Sequence, residues 1–341
     1  MQKRLIPLML LLTLLLGIAP MQAEAANKPV VYKGKITTNY DGTTTVYKTP
    51  LERAKDSKAS DRLGVLRPNQ PIDVVDVLPN YLEINYGRGT GFVLRHRTMD
   101  IVAVDPVNTP RYGTVVSQYY TTLDRETYVK AEPNDGSETL ITLQAGTRIA
   151  FMDIDNGWAR LIFKRQYGFV NTLSLPDLQM TAPTEEAGTE DTPIAVYNSF
   201  YNIATNWENE NRIHNLRVGV DRMDRLMQPG DQLDFNATVG PFNPRSGYLH
   251  APALYEGEIV QAYGGGSCQV SSTLYNAVLQ LTGLTVTARA PHGANGAPYL
   301  PHGVDASSGD LNFIFRNDYP FPVRISSHVQ DGVLFIAIYK G

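Results

Sequence analysis

Gly264-Gly265-Gly266-Ser267-Cys268-Gln269-Val270-Ser271-Ser272-Thr273-Leu274-Tyr275-Asn276 decides the reading of the C-terminal half of this chain. Three glycines give way to apolar residues at Val270, Leu274, Ala277, Val278 and Leu281, a spacing of three and four that predicts a helix over 269–281. Thr282-Gly283 supplies its stop signal. Cys268 stands where this helix begins. The unpaired N–H groups of a first helical turn carry partial positive charge, which stabilises a thiolate. Glycines also let the backbone approach a substrate carbonyl closely and aim N–H groups at it. A small buried core cysteine is the plain alternative.

Around this helix the spacing predicts an α+β domain over 194–341. A strand is expected over 194–203, an amphipathic helix over 209–227 and a strand over 285–290. A long loop over 291–309 and a closing hairpin over 323–327 and 333–339 complete it. A cysteine nucleophile needs a base. His292, His302 and His328 follow Cys268, and His214 and His250 precede it. Asp305 lies close to His302 and is a carboxylate able to orient a base. No His-Glu-x-x-His or similar ligand spacing is present, so neither a metal nor a cofactor is expected.

Cys268 is the sole cysteine among 341 residues, which excludes an intrachain disulfide framework and a cysteine-based zinc ribbon. The formal net charge of −4 leaves no basic excess to neutralise phosphates, so no nucleic-acid partner is expected. The N-terminus reads Met1-Gln2-Lys3-Arg4, an apolar run from Leu5 to Ile18, then Ala23-Glu24-Ala25-Ala26. This is the order of a secretory signal peptide over residues 1–25, and the run is short for a membrane span. The mature chain is therefore expected outside the cytoplasmic membrane, in the cell wall or free. A lone thiol retained in an oxidising compartment is exposed to damage.

The N-terminal half is expected to be β-rich and repeated. Ile72-Asp73-Val74-Val75, Tyr81 and Gly91-Phe92-Val93 recur 77 residues later as Ile149-Ala150-Phe151-Met152, Trp158 and Gly168-Phe169-Val170. Short strands punctuated by turns predict two small barrels, over 40–100 and 112–175. Each copy, an aromatic opening a hairpin that closes in Gly-Phe-Val, resembles the bacterial SH3-like domains of cell-wall proteins. The second is the better fit, with Val129-Lys130-Ala131-Glu132-Pro133 at its opening, and the first is divergent. That resemblance implies binding to the cell-wall matrix. Glu185, Glu186, Glu190 and Asp191 mark residues 176–193 as an acidic linker.

Asn211-Arg212-Ile213-His214-Asn215, Gln228-Pro229-Gly230, Val239-Gly240-Pro241 and Gly247-Tyr248 come in order before Gly264–Asn276. Pro291-His292 and Gly303-Val304-Asp305-Ala306 follow it. This succession over 194–341 resembles the VanW family of extracytoplasmic cell-wall proteins. The resemblance implies a cysteine L,D-transpeptidase that forms 3-3 cross-links between peptidoglycan stem peptides. It further implies Cys268 as nucleophile, His292 as base and Asp305 as its orienting carboxylate. Gly264, Gly265, Gly266 and Ser267, with Gln269, Ser271, Ser272, Arg212, His214, Asn215 and Tyr248, become the expected oxyanion and substrate-binding residues. The family pattern Pro-Pro-Gly is replaced by Pro301-His302-Gly303, which keeps His302 open as the base. The alternatives are a non-catalytic wall-binding module and a cysteine peptidase or carboxypeptidase of stem peptides.

Overall fold

The computed structural model describes residues 27–51, 54–255 and 258–341, so the expected signal peptide lies outside the described residues. The chain is mostly β with few helices, divided among several small sheets. The first unit is one seven-stranded antiparallel sheet. Its order is Arg62–Leu66, Thr44–Tyr47, Gly89–Leu94, Tyr81–Tyr86, Pro71–Val77, Tyr32–Ile36, Thr98–Ala103. Ile36, Val46, Val74, Leu82, Ile84 and Val93 form its core. The unit reaches beyond the expected 40–100 at both ends. Tyr32–Ile36 pairs with Pro71–Val77 on one side and Thr98–Ala103 on the other.

The second unit pairs Thr139–Leu143, Thr127–Lys130, Gln166–Asn171, Trp158–Phe163 and Asp153–Asp155 in one sheet, and Arg148–Phe151, Tyr119–Thr122 and Gln179–Met180 in another. The 77-residue repeat is visible in the elements. Tyr81–Tyr86, Gly89–Leu94 and the turn of helix Arg95–Arg97 correspond to Trp158–Phe163, Gln166–Asn171 and Thr172–Ser174. Among the described residues the ladders of neither unit close into a barrel.

The expected linker over 176–193 is not a free, solvated segment. Gln179–Met180 pairs with Tyr119 and Tyr120. The Glu185 carboxylate accepts from the Thr282 N–H and hydroxyl at 2.7 and 2.8 Å, and Lys340 donates to the Glu186 carbonyl. One of its acidic residues, Glu185, thus finds its donors just past the helix that carries Cys268.

Among the described residues the C-terminal unit holds three α-helices, α1 (Trp207–Met223), α2 (Phe235–Val239) and α3 (Ser267–Leu279). Asn206 caps α1 by accepting from the Asn209 N–H at 2.9 Å, with Glu208 and Glu210 in the first turn and Arg222 in the last. The helix ends earlier than its apolar spacing suggests, because Arg225–Met227 turns away to pair with Val323–Gln330. α1 and α3 pack on a four-stranded sheet ordered Pro193–Phe200, Val333–Lys340, Val323–Gln330, Arg225–Met227. Every residue of Pro193–Phe200 is buried. Ala195 and Tyr197 belong to the core under the helices. Val196 and Phe200 face the other way and join Leu161, Phe163 and Val170 of the second unit. The Phe163 and Phe200 ring centroids lie 4.8 Å apart, and the Asn198 side chain accepts from the Ala150 N–H at 2.8 Å. The second β unit and the C-terminal unit therefore share one core. No helix of the described residues is long and apolar enough to cross a membrane.

Candidate active site

Cys268 lies in the first turn of α3, partly exposed, behind an N-cap Gly266 with φ of 108°. Only glycine holds that backbone without strain. Gly265 is required for a different reason. A Cβ there would stand 2.3 Å from the Ala251 carbonyl oxygen and 2.8 Å from that of Pro252. Gly265→Ala is expected to lower stability by roughly 2 kcal/mol or more, as overpacking against backbone does. Gly230→Ala, at an open left-handed turn with no atom near the added carbon, should cost less. Thermal midpoints of the two variants provide the comparison.

The chain between Arg289 and Phe313 contains no helix or strand and brings His292, Asp305 and Ser308 to the thiol. His292 Nδ1 lies 2.7 Å from Asp305 Oδ2, which also accepts the His292 backbone N–H at 2.6 Å. The two side chains are 4% and 1% exposed, so water does not compete for the pair. With Nδ1–H donated to Asp305, Nε2 is the ring atom left for Cys268. The Arg289 guanidinium stands 3.7 Å from Asp305 Oδ1 and donates to the Asp305 and Gly303 carbonyls. The Ser308 N–H and hydroxyl each lie 3.4 Å from the Cys268 sulfur.

These contacts set the charges. Burial pushes the Cys268 thiol up, but His292 and then Ser308 outweigh it and hold the thiol below its ordinary range. Burial opposes protonation of His292, yet its hydrogen bond to the Asp305 carboxylate and the neighbouring thiolate push its pKa up to about 9. Burial also works against the Asp305 carboxylate, and His292 and Arg289 hold its pKa below the usual value. The arrangement favours the charged forms, a thiolate beside an imidazolium backed by a carboxylate.

A cleft of ≈ 750 Å³ opens over the thiol, with Arg212, Phe242, Gly266, His292 and Tyr299 in its wall. That volume suits a peptide segment. Arg212 Nη2 donates to Gln269 Oε1 at 2.8 Å, and no carboxylate pairs with it among the described residues. Gln269 is fully buried and anchored to Ser199 and the Phe200 carbonyl. Its amide oxygen holds Arg212 at the wall of the cleft, which Gln269 itself also lines.

Several expectations are corrected. Ser271 and Ser272 are fully buried and bond to Ala306, pinning α3 to the residue beside Asp305. Asn215, also fully buried, ties Leu249 to Gly265. The buried Tyr248 hydroxyl donates to the Val239 carbonyl. His214 is exposed and bonds to the Gly247 carbonyl, away from the thiol. The Ser267 hydroxyl is used on the Gly264 carbonyl, and the Gly265 N–H on that of Ala262. The donors left for an oxyanion are Gly266 and Cys268 N–H. His302 Nε2 is committed to the Ala294 carbonyl at 2.7 Å, which removes it as the base. His250 packs edge-on against Tyr263, and His328 bonds to Gln330.

Sequence reasoning missed Arg289, Ser308 and Tyr299. Ser308 was within reach as the polar residue three places after Asp305. Tyr299 has a buried hydroxyl without a partner among the described residues, and nothing local in the sequence marks it. No group of three His, Cys, Asp or Glu among the described residues is placed to hold a metal ion.

Comparison with known proteins gives three results. Residues 211–339 match the family described as "VanW like protein". A Bacillus subtilis (strain 168) protein described as "Uncharacterized protein YoaR" is 37% identical over 138 residues, 40% of this chain and 45% of that one. The matched region is thus under half the length of that relative. Among solved structures, NlpC1 from Trichomonas vaginalis is 10% identical, covering 93% of this chain and 95% of that one at a TM-score of 0.17. An NlpC/P60 family protein from Bacillus cereus ATCC 10987 is 11% identical, covering 89% and 94% at the same score. Scores at that level describe no shared overall superposition.

Proposed function

Residues 211–339 are a VanW-like domain, and from that premise we propose that the chain is an extracytoplasmic cysteine acyltransferase, an L,D-transpeptidase of peptidoglycan stem peptides. The observation that carries the reading is the Cys268 thiol at the start of α3, facing an imidazole fixed by buried Asp305 at the floor of a peptide-sized cleft. In this reading the thiolate attacks the carbonyl of the third, diamino acid residue of a donor stem. The oxyanion is held by the Gly266 and Cys268 N–H groups. His292 gives its proton to the leaving amine of the terminal D-amino acid, and a thioester remains on Cys268. The side-chain amine of an acceptor stem attacks the thioester, His292 takes its proton, and the amide product leaves as the thiolate reforms.

Arg212 fits the free carboxylate of the departing D-amino acid, because it is a partly buried cation beside the thiol with no carboxylate of its own. Arg212→Ala should therefore raise KM for a tetrapeptide donor by roughly tenfold to a hundredfold, the worth of a charge-assisted hydrogen bond. Amidating the donor's terminal carboxylate should cause the same loss in the unaltered protein and little further loss in the variant. Equal losses in both would remove Arg212 from substrate binding.

The N-terminal units resemble SH3-like wall modules, and the signal-peptide order of residues 1–25 supports a place at the wall. A cleft of ≈ 730 Å³ between them, lined by Tyr81, Phe163, Tyr167 and Phe169, suits a wall ligand. Incubation of the purified protein with tetrapeptide muropeptides tests the activity. New 3-3 dimers are the expected product. Tripeptide stems without dimers would make the same site a hydrolytic carboxypeptidase, and unchanged muropeptides would overturn the enzyme reading.

A further inference from the structure

The residues between Arg289 and Phe313 carry both His292 and Asp305 without any regular structure of their own. Irregular segments of more than about 12–15 residues need support from outside to hold a fixed geometry. Here the support comes from the N-terminal β units. We propose that Arg165 is a positioning residue for the His292–Asp305 pair, clamping this loop from the second β unit so that the imidazole stays in register with Cys268. The proposal rests on the reading of His292 as the partner of the thiol.

Arg165 sits at the hairpin turn between Trp158–Phe163 and Gln166–Asn171, behind Lys164 in a left-handed conformation with φ of 59°. Its Nη2 donates to the Asn295 and Ala297 carbonyls at 2.5 and 3.2 Å, and its Nε to that of Leu300 at 3.4 Å. One guanidinium thus gathers three carbonyls from a six-residue stretch midway between His292 and Asp305. The fork geometry of arginine permits this, and the single ammonium of lysine would not reproduce it. Gly296 lies at the centre of the contact. A Cβ there would be 3.1 Å from the His302 ring, 3.6 Å from Asp305 Oδ1 and 3.8 Å from Arg165 Nη2. The guanidinium and the Asp305 carboxylate thus both border Gly296, and Asp305 Oδ1 has no hydrogen-bond partner among the described residues.

The first β unit adds a second hold. The Tyr40 hydroxyl lies 2.6 Å from Asn295 Oδ1, the Arg97 guanidinium stacks 4.2 Å from the Tyr40 ring, and His96 meets both Tyr40 and His302 edge-on. Both units thus grip the outer side of the loop whose inner side faces the thiol. On this view they are part of the active-site scaffold and not detachable spacers.

The test follows the imidazole itself. The titration of His292 is read by NMR in the full chain, with Arg165→Ala, Arg165→Lys and Tyr40→Phe as variants. Alkylation of Cys268 is followed across pH in parallel. In Arg165→Ala the His292 midpoint should fall toward that of a free imidazole. Alkylation at pH 6.5 should slow by about tenfold or more, the scale set by misplacing a reacting group. Tyr40→Phe, which removes one hydroxyl, should move both readouts the same way by less, and Arg165→Lys should restore only part. A folded Arg165→Ala with unchanged midpoint and alkylation profile overturns the proposal. Should Arg165→Ala not fold, unchanged readouts in both Arg165→Lys and Tyr40→Phe overturn it equally. Failure of the transpeptidase reading shows elsewhere, as muropeptides left unchanged by the unaltered protein while its His292 midpoint still responds to Arg165.

Discussion

Under the transpeptidase reading, Cys268→Ala is expected to lower turnover of tetrapeptide muropeptides by at least about a thousandfold while leaving the fold intact. The size follows from removing the atom that forms the covalent intermediate, since orientation and hydrogen-bond donors alone retain only a small part of the rate. The fold should survive because the thiol is partly exposed and its contacts are to Ser308 at the rim of the cleft, not to the core under α3. Cys268→Ser should fare little better, because a hydroxyl does not ionise beside His292 as the thiol does. The chain has no second cysteine, so a thiol reagent reports on this site alone. Alkylation of the native protein should stay fast at a lower pH than that of an ordinary thiol, whose thiolate forms only near ~8.5. Product analysis by liquid chromatography and mass spectrometry measures the turnover. Retention of activity within about threefold of the unaltered protein would return Cys268 to the status of a small structural residue.

The parts of the molecule that the sequence disclosed are those governed by local rules. The helix at Ser267–Leu279 and the closing hairpin follow from apolar spacing and turn chemistry. The 77-residue repeat was readable because each copy spends the same residues on the same hairpin, down to the turn of helix behind it. What stayed hidden depends on contacts between distant segments. Pro193–Phe200 shows only partial alternation because both of its faces are buried, one under α3 and one against the second β unit. The hairpin of His250–Tyr255 and Glu258–Tyr263 escaped notice because Ile259, Val260 and Tyr263 are exposed and follow no core-facing period. Within the motifs, the polar residues divide in a way that spacing does not announce. Ser271, Ser272, Asn215 and Gln269 are spent on holding backbone and Arg212, while Cys268, His292, Arg212 and the glycine turn line the cleft. Motif membership identified residues that matter without separating those that hold the site from those that face it.

Asp305→Asn separates the two roles by charge alone. The amide keeps the size of the carboxylate, and its oxygen can still accept the His292 backbone N–H. It removes the negative charge that holds the imidazolium and fixes Nδ1 as the donor. Loss of such an orienting carboxylate in a nucleophile–histidine pair costs about ten-thousandfold in kcat in a serine protease. A drop of roughly a hundredfold to ten-thousandfold is expected here, because a thiol depends less on its base than a hydroxyl does. The pH dependence supplies the sharper reading. In the native protein the His292 pKa is pushed up to about 9, so the ion pair is complete below the ordinary imidazole value and is lost as pH rises through about 9. The Cys268 thiol is held low, so the thiolate is lost only as pH falls through that depressed value. Asp305 is itself held low, and its contribution to stability disappears as pH falls through its own folded value. Activity should form a bell whose alkaline limb lies near 9 in the native protein. In Asp305→Asn that limb should move toward neutrality and the acid limb upward, narrowing the bell from both sides, since each member of the thiolate–imidazolium pair loses the partner that holds its charge. Rate profiles of the two proteins, taken with their melting temperatures at acid, neutral and alkaline pH, decide the matter. A variant that loses rate while keeping both limbs in place would mean that Asp305 props the loop without tuning the pair, and that the imidazole takes its charge from Cys268 alone.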